Sequence, residues 1–596
     1  MAATADRIDG IIIDPSFGTS TGGNISALMD GMSTGRVILL RTLVAEVTAA
    51  APEIADEAGL LDAYRFLANS QNSYPAEVAA ALSYPHGGIW LGRVLRRIRT
   101  STDDAAVPLW ADCGYLGWLA AAVGIRCRSE GSMRLVVRNG SVMLPGIGMA
   151  LLGPSDHCGH CTLHWSGNGS LHFTGETAAI RIPSVQHDSD PAWLPLRRVW
   201  GADHTVEVVL DDLDPFRELP PGHLEPLRLT AAQTERWQAD FAAAWELLHH
   251  DFDRYLAPMR ECLKMVVPLS TQPLVASTSH TAYGGVGCVY TTAPADPCQL
   301  ALTLIHEIQH TKFTLLTDQV LLLTEPDPFF RCYAPWREDP RPIFGLLHGI
   351  YAFTGVIDFW RVHRHTSCHG SRQAHVDFEL GRVQLETAVA QVITSGLLTT
   401  EGERFLDALA AAIRPWADEN IPADVRLAVS EVTIAHRTFW QVRNRRPAAD
   451  DLAWLSTRWA SGRPGPRILP PETWTDQHCI PDRYRSLRLS AQLKSLDSAD
   501  IEELSSPDQP EGDRLYLSGD ISAAFTSYTQ ELRQDPLRPQ LWAGLALVLP
   551  TLFPDSDFGI LTDRAEMAAH LYHAVDRDTD VVDLLRWLSN PESSDE

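Results

Sequence analysis

The run Leu304-Ile305-His306-Glu307-Ile308-Gln309-His310 constrains this chain more than any other stretch. Ile305, Ile308, Leu315 and Leu316 recur at the spacing of a helix. Residues four apart on a helix lie one above the other, with about 5–6 Å between their Cβ atoms. His306 and His310 can therefore offer two imidazoles to one point, with Glu307 beside them. Two imidazoles and a carboxylate in apolar surroundings need compensation, and a metal ion supplies it. The motif by itself reads as a metal site, most simply that of a zinc hydrolase with Glu307 as general base.

A third ligand must come from elsewhere. A histidine six residues after His310 would complete one common zinc pattern, but Leu316 stands there. Glu325 is too close and lies in a proline-rich turn, EPDPFF. In the apolar helical stretch Phe344 to Phe353 the one polar side chain is His348, with Asp358 and Glu386 as carboxylate alternatives. Just before that stretch, YAPWREDPRP places Arg337 and Arg341 four apart. A guanidinium near a metal site can clamp a carboxylate, because its planar fork matches two oxygens. The plainer reading is a surface ion pair with Glu338 or Asp339.

The rest of the chain reads as mainly α with a β-rich N-terminal layer, an α+β arrangement around a helical HExxH core. Amphipathic helical spacing covers 36–67 and 75–97 and places a helical region at 1–130. At 131–230 strand-like runs take over, and Asn139-Gly140 between two β-branched runs predicts a tight hairpin turn. Helical patterns over 231–256, 298–323, 343–365, 372–396, 402–414 and 422–443 make 231–480 the expected metal-binding catalytic domain, with a short buried strand at Val266 to Leu269. An acidic linker is expected at 481–513: from Asp497 to Asp513 there are seven acidic residues, two prolines and no basic residue. The final stretch, 514–596, opens with Gly519-Asp520, Ala524, Tyr528, Pro536 and Trp542 at the spacing of a tetratricopeptide-like helical hairpin. One such unit cannot bury its own face and is expected to dock on the catalytic body or a partner.

Composition narrows the function classes. With 49 basic against 75 acidic residues the net charge is −26, which argues against nucleic acid or an anionic membrane as the main partner. No stretch approaches the ~20 uninterrupted apolar residues of a membrane span, and Met1 to Asp9 lacks the look of a secretory signal. Ten cysteines spread over 596 residues are too sparse for a disulfide scaffold, so a reducing cytoplasm is expected. Two further clusters, HCGHCTLH at 157–164 and FWRVHRHTSCHG at 359–370, read as a reduced loop and a cationic helix end rather than metal sites. His280 and Tyr283, in a glycine-rich loop, could line a substrate cleft.

Together, Ser277 to Gly285, LIHEIQHTKFTLLTD and YAPWREDPRPIFGLLHGIYAF resemble the HExxH-motif peptide-modification proteins of ribosomal peptide gene clusters. That family includes the C-terminal domains fused to radical-SAM maturases in FxSxx-type systems. The shared motifs span roughly 265–365, and the acidic linker and the tail resemble the ends of the same proteins. The resemblance implies an iron(II)- and 2-oxoglutarate-dependent dioxygenase that β-hydroxylates a side chain of a ribosomally made precursor peptide. It implies His306, His310 and His348 as the iron ligands and Arg337 or Arg341 on the 2-oxoglutarate carboxylate. Glu307 then orients or hydrogen-bonds rather than activating water. Other maturation enzymes of the same pathway are the implied partners. The alternative from the motif alone is a zinc metallopeptidase that trims a peptide with Glu307 as base.

Overall fold

A computed structural model describes residues 23–100, 107–155, 157–175, 179–185, 190–217, 228–270, 278–325, 330–366, 371–466, 469, 510–576 and 578–589. The chain is 61% helix and 12% strand, with its sheets confined to the N-terminal half, and so is an α-rich α+β protein. It forms two compact units, Met1–Leu321 and Leu322–Glu596. The division falls inside the 231–480 span, so His306 and His310 belong to the first unit and His348 to the second. Most of the expected linker, 481–509, lies outside the described residues.

In the first unit the helical run expected over 36–67 is three helices, Gly23–Ala50, Pro52–Glu57 and Leu60–Ser73. Pro52 starts the second of them, and Gly59, with φ +63°, separates the second from the third. Helices Pro75–Leu82 and Pro85–Thr100 each begin on a proline for the same reason. Tyr115–Arg126 is buried from Tyr115 to Ile125. A helix that is apolar all round carries no amphipathic stripe, and the spacing argument passed it over.

Among the described residues, nine strands, β1 to β9, occupy 131–210. β1 (Gly131–Val137), β4 (Gly159–Trp165), β5 (Leu171–Gly175) and β6 (Ala179–Ile182) form an antiparallel sheet in the order β1-β4-β5-β6. The Asn139-Gly140 turn is present, with positive φ at both residues and a mutual hydrogen-bond pair between Arg138 and Ser141. The strands beyond it part after that single pair: β1 continues against β4, while β2 (Ser141–Leu144) pairs with β3 (Gly148–Leu151) in another sheet. Leu135 of β1 and Val142, Met143 and Leu144 of β2 all belong to one apolar core with the helices before them, and burying both runs decides the split.

The sheet that positions the site has the order β11-β12-β10-β9-β8. β10 (Met265–Leu269) runs parallel to both β12 (Cys288–Thr292) and β9 (Glu207–Leu210). All residues of β10 and β12 are buried, as expected where a parallel sheet is covered on both faces. β8 (Arg197–Trp200) and the two-residue β11 (Ser279–His280) close the edges antiparallel.

The second unit is helical. Ile343–His363 packs along Ser371–Thr394, which in turn meets Ala423–Asn444; the last also packs on Pro539–Leu552 and Ala565–Ala574. Ile343–His363 is, among the described residues, the one helix long and apolar enough to cross a membrane by length and composition. It buries Leu346, Leu347, Ile350, Tyr351 and Ile357 inside the unit. Near the C-terminus, Glu511–Leu517, Ile521–Gln534 and Pro539–Leu552 pack on one another. There the fully buried Tyr528 ring lies between Gly512 and Gly544, with its hydroxyl donating to Asp513 Oδ1 at 2.7 Å.

Candidate metal centre

The HExxH helix, Pro297–Thr317, follows β12 after a short turn. Asp296 caps it by accepting from the Gln299 backbone N–H, and Pro297 takes the first helical position. One face packs on Ala231–Asp251 and part of another on Gly23–Ala50. The helix buries Leu300, Ala301, Leu304, Ile305, Ile308, Leu315 and Leu316, which leaves His306 and His310 half-buried one turn apart.

Their Nε2 atoms lie 3.1 Å apart, with the two rings almost perpendicular at 86°. One metal ion about 2.0–2.1 Å from both nitrogens would subtend an angle of about 100°, between the octahedral and tetrahedral values. Burial lowers the His306 pKa to about 4, so its ring is neutral at neutral pH, the form that binds a metal. This pair of side chains fits a metal ion.

Glu307 is fully buried. Its Oε1 accepts from the Ser279 hydroxyl at 2.7 Å and its Oε2 from the Thr281 hydroxyl at 2.5 Å. Ser279 stands on edge strand β11 and Thr281 two residues on, so period-two geometry brings both hydroxyls to one face. Burial pushes the Glu307 carboxyl above its ordinary range, against the hydroxyls of Thr281 and Ser279 and the neighbouring His280. The sequence reading named the loop but missed these two hydroxyls. The alternation Ser279-His280-Thr281 was the available signal. His280 stacks on Tyr290 of β12 with ring centroids 4.5 Å apart, while Tyr283 is 84% exposed.

Further along the helix, Thr314 and Asp318 help line a cavity of about 540 Å³ with Tyr283, Gly284, Gly35 and Gly92. A Cβ at Gly35 or Gly92 would meet nothing within 4 Å, so these two glycines face open space. The groove wall at Gly284 is fixed by the Arg36 guanidinium, which donates to the Gly284 carbonyl at 2.8 Å and to those of Leu82 and Tyr84.

In the second unit, His348 is half-buried on Ile343–His363, with the Phe344 ring 6.1 Å away. Arg337 and Arg341 both bind Asp339, at 2.7 and 3.3 Å. Asp358 pairs with Arg361 and Glu386 with Arg382. The HCGHCTLH segment forms β4, where alternation sends Cys161 into the core and His160 to the other face. Burial lifts the Cys161 thiol to about 12, and His160 stacks on Trp110 and binds the Glu57 carbonyl. In the other histidine cluster His363 is buried against Phe359, and residues 367–370 lie outside the described residues.

Compared with known proteins, the chain matches no family model, and no curated protein is significantly similar to it.

Proposed function

We propose that the chain is an iron(II)- and 2-oxoglutarate-dependent oxygenase that β-hydroxylates a side chain of a ribosomally made precursor peptide. The observation that carries this reading is the pairing of two converging imidazoles with a carboxylate whose two oxygens both serve structure. Both Glu307 oxygens accept a hydroxyl, one from Ser279 and the other from Thr281, which supports a residue that locks the β11 edge to the metal-bearing helix; each oxygen keeps a second lone pair, so the choice against a general base rests on the test below. Oriented ligand helices of this kind set metal affinity through such partners.

In this proposal His306 and His310 are iron ligands, and, as the family resemblance implies, His348 is the third and Arg337 or Arg341 receives the 2-oxoglutarate carboxylate. Iron with its keto-acid would supply the oxidising power for the C–H bond. The protein's own residues hold the ion and admit a peptide, for which the groove along Gly35, Gly92 and Tyr283 offers open apolar space. The helices at 511–552, with small residues against Tyr528, serve as a tetratricopeptide-like hairpin for docking, in a cytoplasmic protein that works beside other maturation enzymes. The second reading, a zinc peptidase, keeps the same two histidines but needs Glu307 as base.

The test is incubation of the purified chain with ferrous iron, 2-oxoglutarate, air and candidate precursor peptides. Succinate together with a peptide heavier by one oxygen atom supports the oxygenase. A cut peptide backbone without succinate overturns it in favour of the peptidase.

A further inference from the structure

A second cluster lies wholly within the first unit and uses none of the candidate ligands of the HExxH helix, although its His86 ring meets Tyr290, the stacking partner of His280, with centroids 6.4 Å apart. Strand β9 ends at Leu210, and Asp211-Asp212-Leu213-Asp214 follow it, the Asp211 N–H still bonded to the Val266 carbonyl of β10. Asp211 Oδ1 accepts the backbone N–H groups of Leu213 and Asp214, and Asp214 Oδ1 accepts that of Phe216. Each carboxylate is thus pinned by one oxygen and directs the other, Oδ2, inward. His86, on the first turn of Pro85–Thr100, faces both. Its Nδ1 is 3.3 Å from Asp211 Oδ2 and 3.6 Å from Asp214 Oδ2. All three side chains have zero exposure.

By strict hydrogen-bond geometry neither ring nitrogen of His86 is satisfied, while Asp211, Asp214 and the buried Cys288 thiol all lie within interacting range of the ring. Two ligands on a tetrahedral ion, each about 2.0–2.1 Å from it, stand about 3.3–3.4 Å apart, close to the spacing seen here. The three ligand atoms also lie within 4.8 Å of one another. Charge points the same way. Two carboxylates and a neutral imidazole sum to −2, and a proton on the ring leaves −1 in a site with no solvent. An uncompensated buried charge is expensive, and a divalent cation brings the sum to zero.

The surroundings are those of a ligand set. The Tyr84 hydroxyl donates to Asp211 Oδ2 and the Tyr115 hydroxyl to Asp214 Oδ2, both at 2.8 Å. A carboxylate oxygen has a second lone pair for a metal, and outer hydrogen bonds of this kind orient ligating carboxylates.

We propose that His86 Nδ1, Asp211 Oδ2 and Asp214 Oδ2 form a structural site for a divalent metal ion, distinct from the HExxH centre. One imidazole and two carboxylates suit zinc or manganese. Full burial makes this an ion taken up as the chain folds, tying the helical layer at His86 to the end of β9. It involves no turnover.

The test uses the full chain with both HExxH histidines removed, His306→Ala/His310→Ala, so that failure of the oxygenase reading leaves it untouched. Produced with zinc and then dialysed against a chelator, this variant should keep about one zinc per chain. X-ray absorption should show nitrogen and oxygen neighbours and no sulfur. Adding Asp214→Asn should remove the metal. Because that variant could fail to fold, the double-histidine variant is also unfolded with chelator and refolded with or without zinc; zinc should raise the unfolding midpoint and be retained at about one per chain. A folded double variant that holds no zinc after either route, or zinc with a sulfur shell, overturns the proposal.

Discussion

Glu307→Gln separates the two readings of the HExxH helix. The side chain keeps its size, so the fully buried site gains no cavity. Two hydrogen bonds survive: the amide oxygen still accepts one hydroxyl, and the amide N–H donates to the other, which turns to receive it. Bonds to a charged group contribute roughly 1.5–3 kcal/mol and neutral ones about 0.5–1.5, so the two exchanges together cost about 2 kcal/mol. Losing a buried charge offsets part of that. The variant should stay folded, within about 2 kcal/mol of the parent by denaturant unfolding, and should still fill its metal site at saturating metal. As a positioning residue, Glu307 is expected to cost about 10–100-fold in metal affinity or hydroxylation on this swap. A general base contributes about 10²–10⁴-fold. Parent protein that cleaves peptide, with cleavage falling by the larger factor in Glu307→Gln, would refute the reasoning. So would a variant that loses its metal outright, since Glu307 would then be a ligand.

Thr281→Val removes one of the two hydroxyls on Glu307 and leaves a buried carboxylate oxygen without that donor, a cost of about 1–3 kcal/mol; an unchanged urea midpoint would deny the contact its role. Gly544→Ala would bring a Cβ to 2.3–2.7 Å from the Tyr528 ring, which is backed by Gly512 and held by Asp513. Overpacking of this kind costs about 1–3 kcal/mol, against about 1 kcal/mol gained by replacing glycine in a helix, so the variant should melt lower, and a higher midpoint refutes the packing argument. His570 is held down to about 4 by burial, with Arg446 and His573 adding to the effect. Its folded pKa lies below the unfolded value of about 6.5, so the unfolded chain takes the proton first. The associated stability is present above about pH 6.5 and drains away towards pH 4, by about 3 kcal/mol at most. His570→Gln, which keeps an acceptor for Arg446, should flatten the pH dependence of unfolding over that window; an unchanged slope would rule His570 out as its source.

How much of this was legible in the sequence follows from the range of each signal. The 3.6-residue spacing found the HExxH helix but ran it on to 323 where it ends at Thr317, and it placed the long helices of the second unit within a few residues of their ends, because a half-buried helix writes its buried face into the chain. Tyr115–Arg126 left no such mark, being buried all round. Asn139-Gly140 gave the turn correctly, since positive φ is a local demand. Whether β1 then stays with β2 depends on which apolar faces the helices cover, and two residues do not record that. The same limit hid the Glu307 contacts: Ser279 and Thr281 precede it by 28 and 26 residues, and only the folded sheet edge brings them under the helix. His86 and Asp211 stand 125 positions apart in the chain, and the run Asp211-Asp212-Leu213-Asp214 gave no hint of a histidine partner.

The first unit's two metal-competent clusters share a logic that separates their roles. Both hang from the same five-stranded sheet, one at the edge β11 and one at the end of β9, and in both the carboxylates are fixed by neighbouring donors before any ion arrives. They differ in access. His306 and His310 are only half-buried, whereas His86, Asp211 and Asp214 have no exposed surface. An ion that must exchange with a co-substrate needs the first arrangement, and one that only balances charge and ties two layers together is better served by the second. Chelation should therefore strip the first site rapidly from folded protein and release the second only on the timescale of unfolding, followed as metal loss against time in native buffer and again in mid-transition urea. A single fast phase that empties both sites in native buffer would contradict this division.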